Sequence, residues 1–148
     1  MNIIKTKKPW YKISIVLLLM SINGVAYAEI IANSSVTQEH ISRSELKSIF
    51  FGTKNHWIDS RPIFLCIDQT KSNERNNFYE SILHKNVRAY RRYWSKKLFS
   101  GDSAHLPSYP KTTTRSLAFV AKTDGAICFV SSSPKVLPNN VIRVTIID

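Results

Sequence analysis

Two short stretches, "PIFLCID" beginning at Pro62 and "GAICFV" beginning at Gly125, are apolar at nearly every position. A strand with one face in water alternates between apolar and polar, whereas a strand covered on both faces reads as an unbroken apolar run. These two stretches therefore require a sheet with helices on either side. The segments around them supply helices at the right spacing. The chain is expected to be an α/β domain with a small, mainly parallel sheet flanked by helices.

The N-terminus fits export. Lys5, Lys7, Lys8 and Lys12 precede an apolar run from Ile13 to Met20, and Ala26-Tyr27-Ala28 gives a small-x-small cleavage pattern. Residues 1–28 read as a signal peptide and 29–148 as the domain. The alternative is an N-terminal anchor, but Ser21, Asn23 and Gly24 break the run, which falls short of the ~20 apolar residues a span needs. Processing would leave no stable membrane span and place the domain in the periplasm. Four of the 21 Lys and Arg lie in residues 1–28 and all ten Asp and Glu lie after them, so the remaining 120 residues carry +7.

Cys66 and Cys128 sit within the two apolar runs. If those runs are neighbouring strands in an oxidising compartment, a disulfide is feasible; otherwise both are small buried apolar side chains. No CxxC or Cys/His spacing suggests a metal, and nothing points to a cofactor.

"IIAN" suggests a first strand. In "ISRSELKSIFFGTKNHW", Ser42 and Glu45 have the spacing of a capping box, Ile41 and Leu46 that of a hydrophobic staple, and Gly52 that of a left-handed C-cap, which predicts a helix of about ten residues. Leu46, Ile49 and Phe50 share its apolar face. Ser72 is the candidate cap of a second helix with Phe78, Ile82 and Leu83 on its stripe. Asn86 caps a third, with Val87, Tyr90, Trp94 and Leu98 inward. Thr113 or Thr114 caps a fourth, running through Ser116, Leu117 and Val120 to the Asp124-Gly125 turn. "VIRVTII" closes the sheet.

Two groups of residues suggest binding. Thr70, Lys71, Ser72, Asn73 and Arg75 surround a strand-to-helix junction, where exposed amides favour an anion; Asp68 and Glu74 bring opposing charge. Lys85, Arg88, Arg92 and Lys96 gather on one side of the third helix, a solvated face or a contact for an acidic partner or acidic surface. Tyr90 and Trp94 are needed for packing and export removes cytoplasmic nucleic acid, so nucleic-acid binding is not expected. His40, His56, His84 and His105 are scattered without a serine elbow, an HExxH pair or a paired carboxylate. The chain is not expected to be an enzyme, and an exported hydrolase has only these histidines behind it.

Several of these segments resemble one family. "ISRSELKSIFFGTKNHW" is similar to the "lskeelaaIFlGkittW" segment of periplasmic phosphate-binding proteins, the receptors of phosphate ABC importers, and of small stand-alone proteins related to them. "GAICFV" resembles that family's GAIGYV strand. "SNERNNFYESIL" resembles its serine-started loop and helix, and "YRRYWSKKLFSG" the WxxxxFsG helix of the small members. The resemblance spans Ile30 to about Val144. It implies a single lobe of the type II periplasmic-binding-protein fold. It also implies an exported, non-enzymatic domain that binds an envelope protein partner or, weakly, phosphate or another small anion. The alternative it implies is a phosphate- or oxyanion-binding component of an ABC importer. Against the family's ligand loop, Asp68 stands in place of an arginine and Asn73-Glu74 in place of a Gly-Thr pair, leaving Ser72 as the loop's matching phosphate contact. Arg75 resembles the arginine of an RxxF pattern in the small members.

Overall fold

The computed structural model describes residues 29–103 and 105–148; the expected signal segment lies outside these. The chain forms β1 (Glu29–Asn33), β2 (His40–Ser42), α1 (Arg43–Phe50) and β3 (Phe64–Ile67). Next come α2 (Asn73–Asn77), which continues into a π-helical turn over Phe78–Ile82, and α3 (Val87–Phe99). Last are α4 (Thr113–Lys122), β4 (Ala126–Val130) and β5 (Val141–Ile147). The five strands make one sheet in the order β2-β5-β1-β4-β3. Four strands run the same way; β1, between β5 and β4, is antiparallel to both.

Alternate side chains of the strands enter two core layers. Ile30, Ala32, Leu65, Ile67, Ile127 and Phe129 face α1, the π-helical turn after α2, and α3, while Ile31, Cys66, Ala126, Cys128 and Val130 face α4. This is the two-sided burial that continuous apolar strands require.

α1 is eight residues long, and both of its ends are closed locally. Ser42 Oγ accepts from the Glu45 amide at 3.2 Å. Glu45 does not return the bond as a full capping box would. Its carboxylate accepts instead from Gln38 Nε2 at 2.9 Å and pairs with Lys54. At the other end Gly52 adopts φ 62°, its amide donates to Ile49 O and the Thr53 amide to Ser48 O, the two bonds of a Schellman motif. Leu46, Ile49 and Phe50 are fully buried on the sheet. Such side chains contribute about 1.5 to 3 kcal/mol each.

The other helices depart from the sequence reading in specific ways. α2 starts at its expected cap, Ser72 Oγ to the Arg75 amide at 3.1 Å, but then widens into the π turn. Bonding from i to i+5 realigns the stripe, so Tyr79 is buried with Phe78 and Leu83 while Ile82 is only partly covered. α3 buries Tyr90 and Trp94, whereas Leu98, expected inward, is 42% exposed. The cap of α4 is Thr112, not Thr113 or Thr114: its Oγ1 accepts from the Arg115 amide at 3.3 Å. The three-residue β2 was not anticipated; it is held by parallel pairing with β5.

Candidate functional site

In open α/β sheets, ligands bind beyond the carboxyl ends of the parallel strands. Here β3 and β4 end beside the N-terminus of α4. Asp68, the first residue after β3, is 0% exposed and fills this position. Its Oδ1 accepts from the Thr70 amide at 2.8 Å and from Thr70 Oγ1 at 2.6 Å. Oδ2 accepts from Thr113 Oγ1 at 2.6 Å and from the Ser131 amide at 3.4 Å. This arrangement explains the shift of the α4 cap. Thr113 is drawn to the carboxylate, and Thr112 takes over the helix amide.

The donors that an external anion would use at this strand end are therefore engaged by a carboxylate of the chain itself. Of the junction residues, Thr70 serves Asp68, Ser72 closes α2, and Lys71 and Asn73 are exposed. Arg75 turns away from the Asp68 carboxylate, donating from Nη1 to Gln69 O at 3.0 Å. The structure does not bring these five together around one point.

The aromatic face of α3 has a structural task. The Tyr90 hydroxyl and Trp94 Nε1 donate to Phe50 O at 2.5 and 3.2 Å, the Tyr93 hydroxyl to Phe51 O at 2.7 Å, and Lys97 Nζ to Gly52 O at 3.0 Å. One helix thus satisfies the carbonyls that the end of α1 leaves unpaired. Burial raises the Tyr90 hydroxyl well above its ordinary pKa, against a smaller opposing effect of the neighbouring Trp94 indole. Opposite this face, Arg88, Arg92 and Lys96 make no ion pair or side-chain hydrogen bond among the described residues, and Phe99 beside them is 89% exposed. Lys85 is set apart from the other three, its ammonium 5.9 Å from the centre of the Phe51 ring.

Cys66 and Cys128 are directly paired across β3 and β4, with Cα atoms 4.3 Å apart, and are joined as a disulfide. The histidines are not assembled. His56 and His105 line a pocket of about 200 Å³ at the opposite end of β3, with Trp94, Lys54 and Asp102, while His40 lies in β2. No group of three His, Cys, Asp or Glu among the described residues is placed to hold a metal ion. No helix among them is long and apolar enough to cross a membrane.

No protein-family model matches the chain, and no curated protein matches it. Solved structures do. One, assigned as a phosphate ABC transporter substrate-binding protein with bound phosphate from Clostridium perfringens, aligns with a TM-score of 0.59 at 16% identity, over 82% of this chain and 46% of its own. An ABC-type phosphate transport receptor from Vibrio cholerae aligns with a TM-score of 0.58 at 17% identity, again over 82% and 46%. The chain spans about half the length of these receptors and has the fold of one of their lobes.

Proposed function

We propose that this protein is an exported, non-enzymatic receptor-like lobe that contacts a partner protein and binds small anions only weakly. The observation that supports this reading is Asp68. A buried carboxylate already accepts from Thr70, Thr113 and the Ser131 amide at the strand ends where an anion would be held. A phosphate brought there would meet a like charge and would have to displace bonds that the fold supplies internally. Arg88, Arg92 and Lys96, which make no ion pair among the described residues, with Phe99 beside them, are the face offered to an acidic envelope partner.

Calorimetric titration with phosphate and sulfate tests the proposal. The expected result is no heat at micromolar concentrations and weak binding at most in the millimolar range. Micromolar phosphate affinity would overturn it in favour of a second reading, a phosphate- or oxyanion-binding component of an ABC importer. That alternative is favoured by the likeness to two phosphate receptors.

A further inference from the structure

Behind the Asp68 cluster, on the α3 side of the sheet, lies a group of polar side chains whose donors outnumber the acceptors they meet among the described residues. Gln69 is its hub. Its backbone carbonyl accepts from Arg75 Nη1 at 3.0 Å, and its side-chain Oε1 accepts from Arg91 Nη2 at 2.7 Å. The Arg91 guanidinium lies 5.2 Å from the centre of the Tyr109 ring. Three atoms in this group, Arg75 Nε, Tyr79 Oη and Tyr109 Oη, are buried with no hydrogen-bond partner among the described residues. Tyr79 itself is 1% exposed.

These groups share one environment. Burial raises the Tyr79 hydroxyl above its ordinary pKa, while the Gln69 side chain and the charges of Arg91 and Arg75 act in the other direction. Tyr109 is likewise raised by burial and by Tyr79, against Arg91. Both hydroxyls are therefore protonated donors at neutral pH. Neither arginine forms an ion pair among the described residues. Two guanidiniums and two phenols offer donors and positive charge, and buried donors left unpaired cost stability. The complementary occupant is negative and rich in acceptor oxygens.

We propose that Arg75, Tyr79, Arg91 and Tyr109 form a site for one small oxyanion, separate from the Asp68 cluster. The site does not depend on the amides of α2, whose first turn Ser72 already caps. It gives a location to the weak anion of the reading above and rests on that reading.

The test uses the chain from Glu29 onward, which contains every strand of the sheet and both core layers. Phosphate and acetate are titrated calorimetrically at constant ionic strength. Saturable millimolar binding of at least one is expected. Arg91→Gln, on an exposed side chain, and Tyr79→Phe, which keeps the buried ring, should each weaken it about tenfold or more. Thr113→Val, in the Asp68 cluster, should leave it unchanged. Thermal melts of each variant establish that the fold is retained. Absence of saturable binding by either anion would overturn the site, as would binding that survives both Arg91→Gln and Tyr79→Phe. Binding lost in Thr113→Val alone would return the anion to the strand ends and refute this location. Micromolar affinity lost with Arg91→Gln would sustain the site while refuting the weak-anion, partner-binding reading.

Discussion

The indole Nε1 of Trp57 donates to the backbone carbonyl of Gly125 at 2.9 Å. This bond ties the connection after α1 to the turn before β4, across 68 residues of sequence. Gly125 has φ 75°, and a Cβ there would lie 2.3 Å from Pro62 O, so the turn, the loop and the start of β3 are locked together. Trp57 is thus a clamp between two chain segments as well as a core side chain.

Truncation of this clamp should be costly. Trp57→Ala is expected to destabilise the protein by about 3 to 5 kcal/mol, the range for a large buried aromatic. Trp57→Phe keeps most of the apolar contact and loses the bond, so it should cost nearer 1 kcal/mol. Urea unfolding followed by circular dichroism separates the two. Equal losses would mean that the ring's contacts contribute little.

Gly52 carries two constraints at once. Its φ of 62° favours glycine, and an added Cβ would meet Trp94 Cη2 at 2.6 Å. Gly52→Ala is expected to cost about 1 to 2 kcal/mol for the left-handed backbone and a further ~1 to 3 for overpacking. A melting temperature within a degree or two of the parent's would show that α3 can move aside.

The Cys66–Cys128 bridge closes a sequence separation of 62 residues. Thiol titration of denatured, unreduced protein should find no free thiol. Reduction should lower stability by about 2 to 5 kcal/mol, because the unfolded chain regains loop entropy. Two titratable thiols would refute the bridge.

The buried tyrosines set a limit at high pH. Tyr79, Tyr90 and Tyr109 are all raised, chiefly by burial. A raised pKa means that the native state retains protons which the unfolded state releases. Their contribution is complete below the unfolded tyrosine pKa of about 10 and is lost as pH rises beyond it toward the native values. Denaturant midpoints measured on either side of pH ~10 should therefore fall with pH. Phenolate absorbance should appear together with unfolding. Ionisation of all the tyrosines while the near-ultraviolet circular dichroism stays native would contradict this.

Much of the fold was legible because its signals are local. Ser42, Ser72 and Asn86 each cap the helix that follows, since the caps are made by amides three residues away. Gly52 ends α1 for an equally local reason, the left-handed backbone of its C-cap. Local signals misled where another part of the chain competed for the same atom. Lys54 and Gln38 take the Glu45 carboxylate, and Asp68 draws the Thr113 hydroxyl away from the α4 cap. The π turn that buries Tyr79 breaks the 3.6-residue periodicity on which the stripe was read.

The residues of the proposed anion site show the same division. Arg75 was visible as a cation near a helix start, but Tyr79, Arg91 and Tyr109 were not, because Gln69, α2, α3 and the segment before α4 meet only in three dimensions. Asp68 was visible as a departure from a family pattern; its engagement by Thr113 and Ser131, 45 and 63 residues away, was not. By itself the sequence determined four of the five strands, the starts of α1, α2 and α3 and the two-sided burial, since these follow from side-chain periodicity and bonds within one turn. Tertiary structure decided which polar groups are satisfied and which remain open. That depends on distant segments competing for the same buried donors and acceptors.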